Sequence, residues 1–345
     1  MVHSFGVVLL CATVFGQATH KVVRSFPNPQ GMNYASGLAF SNGQIWGASA
    51  FNSIIYRVDA WTGATLGSFN GPSANMRGLT HDGSFLWGAV WNPRVVYQLN
   101  PVTGAPVSSF PAPFASGRPV GLTYDGTNLL VSDEQNSVHF VTTTGTLVRT
   151  LPLPTNDPRG LGWDGRFIYV GYQTGDLIRR HDPNTGNVLL TIPSPATMFQ
   201  QGLEWADWHI WCTGGTGAGI HQVDVDPPYL NLLGAPNPGS PINFQLTDAQ
   251  AAMGQLAAVA LSATGTAGFN VGANVIPLTL DAVTLLGLTT LLPFFTATVD
   301  PMGVATTPLF TLPLIPTGIT FWAAGVTLNG GSITSVSDPI RFTTQ

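Results

Sequence analysis

The sequence predicts an all-β fold: a five-bladed β-propeller closed by an N-terminal strand, followed by a small β-sandwich. Three observations lead there. A Gly-Leu pair recurs at Gly37, Gly78, Gly121, Gly160 and Gly202, at intervals of 39 to 43 residues. Each copy has room for four short strands separated by turn residues at matching places, which is the signature of a propeller blade. The chain also opens with Val22-Val23-Arg24-Ser25-Phe26-Pro27, a near repeat of Val107-Ser108-Ser109-Phe110-Pro111 in the last strand of another copy.

The fourth copy displays the unit most clearly. Gly160-Leu161-Gly162-Trp163 reads as the first strand, ended by an Asp164-Gly165 hairpin turn, with Phe167 to Tyr172 as the second strand and Leu177 to His181 as the third. Asp182-Pro183-Asn184-Thr185-Gly186 then reverses the chain into Val188 to Ile192. Asp-Gly suits two-residue turns that need positive φ, and Pro followed by Gly suits a reversal that starts at fixed φ and ends left-handed. The hairpin turn recurs as Asn42-Gly43, Asp82-Gly83 and Asp125-Gly126. The fifth copy ends early, after Ile220 to Asp224. The N-terminal strand is expected to complete it, which would leave no long open edge.

Within the first strand, position four is Phe40, His81, Tyr124, Trp163 or Trp205, and position three is Ala39, Thr80, Thr123, Gly162 or Glu204. Side chains alternate along a strand, so one face is large and the other small, as stacked blades require. Glu204 is the exception, a carboxylate among small or neutral counterparts. A salt bridge to a neighbouring-blade Arg is the expected partner; a desolvated general base is the alternative.

Composition narrows the setting. The chain has 345 residues, 44% hydrophobic and 8% charged, with a net charge of −5, so it carries no basic footprint for nucleic acid. Residues 1–18 read as a signal peptide: Phe5 to Phe15 is apolar, and Gly16-Gln17-Ala18 is a small-x-small cleavage pattern. The expectation is a secreted or extracytoplasmic protein without a membrane span. Cleavage would leave Cys212 alone, so no disulfide staples the mature chain.

The propeller is expected over 19–229 and the β-sandwich over 230–345. In the latter, seven strand-like runs alternate with Gly, Pro, Asn and Asp turns, from Ile242 to Leu246 through Ile340 to Thr343. Ala249 to Ala263 could instead be helical. This part has no Lys, His, Cys or Glu and suits a structural or attachment role better than catalysis.

Catalytic and cofactor motifs are absent. There is no His-Glu-x-x-His, no Cys pair for zinc and no Gly-x-Ser-x-Gly elbow. Gly214 to Gly219 lacks the Lys-Ser/Thr ending of a phosphate loop and precedes a strand, so no cofactor and no metal are expected. Propeller ligands gather at the channel mouth. Arg77, Arg118, Arg159 and Gln201 lead into the inner strands there, and Phe51, Trp91, Arg94, Asp133, Glu134, Tyr172 and Asp176 link strands two and three. The candidate ligand-binding residues are Arg77, Trp91, Asp133, Glu134, Arg159 and Tyr172, with Arg offering bidentate contacts to an anionic or sugar-like ligand. The candidate catalytic pair is Glu204 and His81. A solvated rim with self-paired charges is the bland alternative.

Three resemblances add expectations. Leu130-Val131-Ser132-Asp133-Glu134-Gln135-Asn136-Ser137-Val138 resembles an NHL-type blade, which implies binding. Phe199-Gln200-Gln201-Gly202-Leu203-Glu204 with Thr213-Gly214 and Val223-Asp224 is similar to a segment of the propeller-type glutaminyl cyclases, which are five-bladed. That would imply cyclisation of an N-terminal glutamine by proton transfer at the mouth, although Gly215 to Gly219 replaces the Tyr- and Ser-rich stretch of that family. Leu233-Gly234, Pro238-Gly239, Gly303-Val304-Ala305 and Ser337-Asp338-Pro339-Ile340-Arg341 resemble the β domain that follows short blades in a group of secreted bacterial proteins. The favoured function is non-catalytic binding or scaffolding, as a monomer, toward an extracellular protein or carbohydrate. The alternative is a cyclase or lyase.

Overall fold

Local turn chemistry sets the strand lengths. In the computed structural model, Asp82 Oδ1 accepts the N–H groups of Ser84 and Phe85, Asp125 Oδ1 those of Thr127 and Asn128, and Asp164 Oδ1 those of Arg166 and Phe167. The outer reversals repeat the device with Asp59, Asn100 and Asp182. Each such side chain replaces a ladder partner that the turning backbone lacks. These acidic turn residues are therefore spent on backbone, and no metal-binding cluster occurs among the described residues.

The structure describes residues 20–344 except 33, 116, 196–199, 216, 226–228, 238–239, 248–253, 267, 272–273, 279–294, 302–303, 312–316, 330–331 and 338. The expected signal peptide lies outside the described residues. So do positions 249–253 of the helical alternative, while Leu256–Ser262 is a strand.

The chain is all-β, built on repeated four-stranded antiparallel sheets in a propeller-like arrangement. From Lys21 to Asp224 there are five. Their inner strands are Ala35–Ser41, Met76–His81, Pro119–Tyr124, Pro158–Trp163 and Gln200–Ala206. The first four sheets run outward in sequence order; the fifth takes Lys21–Phe26 as its outer strand, antiparallel to Ile220–Asp224. Phe26 lies against Gly63 of the first sheet as Phe69 lies against Gly104 and Phe110 against Gly145. The borrowed strand thus packs like the outer strands it resembles in sequence.

The Gly-Leu glycines explain themselves in this packing. A Cβ on Gly37 would lie 2.7 Å from Leu79 N, on Gly78 2.7 Å from Leu122 N, and on Gly121 2.0 Å from Arg159 O. On Gly160 it would lie 2.3 Å from Leu203 N, and on Gly202 2.9 Å from Ser36 O. Each inner strand therefore meets the backbone of the next one directly, and the fifth meets the first. Only glycine permits that approach. Position four fills the seams, as expected: His81 stacks on Trp46 at 5.4 Å, Trp205 on Tyr169 at 5.2 Å and Phe40 on Trp211 at 5.9 Å.

The remaining strands form two further sheets and a short hairpin. One sheet holds Tyr229–Leu233, Pro241–Thr247 and Val304–Thr306, with Phe310–Thr311 alongside. The other is built on Leu256–Ser262 and Thr320–Asn329. Alternate residues of both point into one apolar core that includes Ile242, Phe244, Leu246, Ala257, Val259 and Leu261. No helix among the described residues is long and apolar enough to cross a membrane.

Candidate functional site

Every inner strand bulges at its leading end. The ladder slips between Ala35 and Gly37, Met76 and Gly78, Pro119 and Gly121, Pro158 and Leu161, and Gln200 and Gly202. The residues left unpaired include Ser36, Arg77, Val120, Arg159 and Gln201. A bulge redirects the side chain it carries, and here it sets two arginines and a glutamine at the leading ends of the inner strands.

Around them the structure assembles an aromatic and cationic cluster. The Arg118 guanidinium lies 3.9 Å from the Trp91 ring centroid, and that of Arg77 lies 5.9 Å from Trp91 and 5.7 Å from Tyr34. Trp91 Nε1 donates to Glu134 Oε2 at 2.8 Å. Arg159 pairs with Asp157 at 2.5 Å. Burial pulls the Arg77 guanidinium below its ordinary value, and repulsion from Arg159 adds to that against the opposing pull of Tyr34 and Glu134. Neither Arg77 nor Arg118 has a carboxylate within 4 Å among the described residues. Arg77, Trp91, Glu134 and Arg159, four of the residues expected at the mouth, thus come together with Arg118.

Two other expected mouth residues belong to the interior. Tyr172 is fully buried, its hydroxyl 3.0 Å from His181 Nε2, and burial raises its pKa. It closes the second strand of its sheet and faces the core rather than the loop. Asp133 is likewise fully buried. Its Oδ1 accepts the N–H groups of Gln135, Asn136 and Ser137, each at 3.0 Å, and its Oδ2 meets His139 Nε2 at 3.1 Å. Asp133 therefore shapes the loop that presents Glu134.

Deeper along the same strands lies a second polar level. Glu204 is three residues past Gln201, so it sits about 10 Å further in. Its Oε1 accepts from Thr123 Oγ1 at 3.3 Å and from its neighbour Trp205 N at 3.2 Å, and Thr80 faces the same carboxyl. Thr80 and Thr123 belong to the second and third sheets, so these contacts tie the fifth inner strand to both of those sheets. The expected arginine partner does not lie within 4 Å of it among the described residues, and Arg77 and Arg159 sit at the leading ends of their strands. Burial drives the Glu204 carboxyl up to about 8, against the hydrogen bonds that favour its ionised form. His81, next to Thr80 on its strand, points the other way: it stacks on Trp46, and its Nδ1 accepts Gly83 N–H at 3.0 Å. Glu204 and His81 therefore have separate surroundings.

Tyr34 and the two threonines were not foreseen. Tyr34 stands just ahead of the first inner strand, where the next copy has Asn75 in the corresponding place; the repeat alignment could have flagged it. The threonines read as ordinary small residues until the ring brings them to Glu204.

No protein-family model matches the chain, and no curated protein matches it. Among solved structures it is similar to the glutaminyl cyclase of Myxococcus xanthus, with a TM-score of 0.53 and 18% identity, over 60% of this chain and 96% of that one. The likeness is one of fold. The chain is also similar to the computationally designed protein Ika4, with a TM-score of 0.34 and 15% identity, over 45% of this chain and 93% of that one.

Proposed function

We propose that this chain is an extracytoplasmic binding protein. In this reading residues 19–229 form a five-bladed propeller closed by Lys21–Phe26, residues 230–345 form a second domain, and the mature protein is a monomer. The propeller mouth takes carboxylate groups of an extracellular protein or carbohydrate. The observation that carries the reading is the bulge-mounted cluster: Arg77 and Arg159 beside Arg118 and Trp91, with two of the three guanidiniums lacking a carboxylate partner within 4 Å among the described residues. Guanidinium groups held on aromatic faces lose little freedom when they engage an anion. Asp133 supports the same end by fixing the Glu134 loop.

The test is a tryptophan-fluorescence titration of the full chain with a triaspartate peptide. Saturable binding that weakens at least about tenfold in the Arg77→Gln/Arg118→Gln double variant supports the reading. Unchanged binding in that variant, with an unchanged melting curve, refutes it.

The second reading is a catalyst of glutaminyl-cyclase type with Glu204 as proton carrier. It is favoured by one observation, a carboxyl whose proton is held up to about 8. Glu204 lies below the mouth, and His81 faces a seam, so the convergence expected of a catalytic site is lacking. Turnover of a glutaminyl peptide that disappears in Glu204→Gln would establish this reading over the first.

A further inference from the structure

A second cluster lies away from the mouth, where the outer turn of the first sheet meets the C-terminal strands. A cleft of about 750 Å³ opens there, within the size range of small-molecule sites. Its centre is Trp61. The Arg24 guanidinium lies 4.9 Å from the Trp61 ring and that of Arg341 lies 4.3 Å from it. Arg24 comes from the borrowed N-terminal strand, Trp61 from the first sheet and Arg341 from the last strand, so three distant pieces of chain contribute.

The guanidiniums here are only partly partnered. Arg24 Nη1 donates to Trp61 O at 2.9 Å and to Ala60 O at 3.5 Å, and among the described residues Arg341 Nη2 reaches Thr320 Oγ1, at 3.4 Å. Arg341 Nε is buried with no hydrogen-bond partner among the described residues. Among the described residues neither guanidinium has a carboxylate within 4 Å. Asp59, which also lines the cleft, spends its Oδ1 on Trp61 N, Thr62 N and the Thr62 hydroxyl. Burial pulls both guanidiniums below their ordinary values and Arg341 adds to that effect on Arg24, while Asp59 and Asp207 pull both the other way. Asp59 and Asp207 offset the burial of these two like charges only in part, and an anion seated between them would relieve the rest.

The rest of the lining narrows the ligand. Thr320 and Thr343, whose hydroxyls lie 2.9 Å apart, offer hydrogen bonds on one side, and Leu232 and Pro236 offer apolar surface on another. Arg24 and Arg341 both lie over the Trp61 ring, so the indole serves as their platform. A ligand here needs an anionic group, several hydroxyls, a partly apolar face and a length of one or two small rings. We propose that the cleft binds an acidic saccharide, its carboxylate held between Arg24 and Arg341 and its hydroxyls facing Thr320 and Thr343.

The test is isothermal titration of the full chain with digalacturonate, with lactose as the neutral control and sodium sulfate as the bare anion. The expected result is saturable digalacturonate binding that weakens with added NaCl, with no lactose binding and weaker sulfate binding. Arg341→Gln should loosen it at least about tenfold, and Arg341→Lys, which keeps the charge without the fork, by less. The comparison is made in the Arg77→Gln/Arg118→Gln background, which removes the mouth as a second carboxylate site, so failure here and failure of the mouth reading are separable. Because the cleft walls come from both sets of sheets, bound saccharide should also raise the melting temperature. Should Arg341→Gln melt early, Arg24→Gln supplies the same comparison. Equal binding by sulfate or lactose, or digalacturonate binding unaltered in Arg24→Gln and Arg341→Gln, overturns the proposal.

Discussion

The two ends of the inner strands carry polar groups under opposite rules. At the leading end, Arg77 and Arg159 sit half-buried on bulges among aromatic rings and charges. About 10 Å further in, Thr80, Thr123 and Glu204 are buried, and the carboxyl is held neutral. The difference comes from the glycine between them. Up to that residue the bulge lets the strand aim a long side chain into open space; beyond it the strands touch and leave room only for short groups. A charge at the first level is kept by solvent and cation–π contact, whereas at the second it is cancelled by a bound proton.

Predictions can break or sharpen that contrast, and the largest concerns Glu204. Its folded pKa of about 8 exceeds the ordinary 4.5, so the folded state binds a proton that the unfolded state has released. Stability is then full below about 4.5 and is lost as pH rises toward 8. Glu204→Gln should abolish that slope and stabilise the protein at pH 8.5 by roughly 4 kcal/mol in urea denaturation. A mutant that keeps the slope would place the titrating group elsewhere. His209 has the reverse sign: burial lowers it from 6.5 to about 4, so its contribution is lost as pH falls through that range. Between pH 4.5 and 6.5 the contributions of these two groups should oppose each other.

Next in size is the contact between strands. Gly121→Ala places a methyl group 2.0 Å from Arg159 O, and should cost about 3 kcal/mol. Gly126→Ala in the exposed hairpin turn meets nothing within 4 Å and should cost about 1 kcal/mol, from positive φ alone. Equal losses would show that the glycines matter for turning rather than for approach. Smaller still is Arg159→Gln, which should weaken triaspartate binding severalfold, on the scale of one charged contact, while leaving the urea midpoint almost unmoved. Tyr172→Phe should do the opposite. It removes a buried hydroxyl beside His181, costs about 1 kcal/mol, and leaves binding at the mouth untouched.

Legibility in the sequence followed the range of each interaction. The turns at Asp82, Asp164 and Asp182 involve neighbours only, so residue type and order revealed them. The borrowed strand was legible because Phe26 meets the same packing demand as Phe69 and Phe110 and shows the same local pattern. Glu204 stood out as an anomaly, but its partners did not. Thr123 is 81 residues away, and nothing local to either residue reports that they meet across the ring. Tyr172 and Asp133 were placed at the mouth because they stand where strand gives way to loop. There one residue decides between facing out and facing in, and the alternation of the finished strand decides it. The junction cleft had no signal of its own, since Arg24, Trp61 and Arg341 come from three separate parts of the chain.

The pairing of Lys21–Phe26 with Ile220–Asp224 also governs assembly. Ser25 and His221 are bonded across 196 residues, so during synthesis the clasp strand waits for the last element it needs. Contacts of such separation close late and slowly. Until they do, Ile220–Asp224 presents a bare edge that the same segment from another molecule could cover. Two chains that exchanged this strand would each be locally satisfied yet linked, so crowding of unfinished molecules should favour entwined pairs.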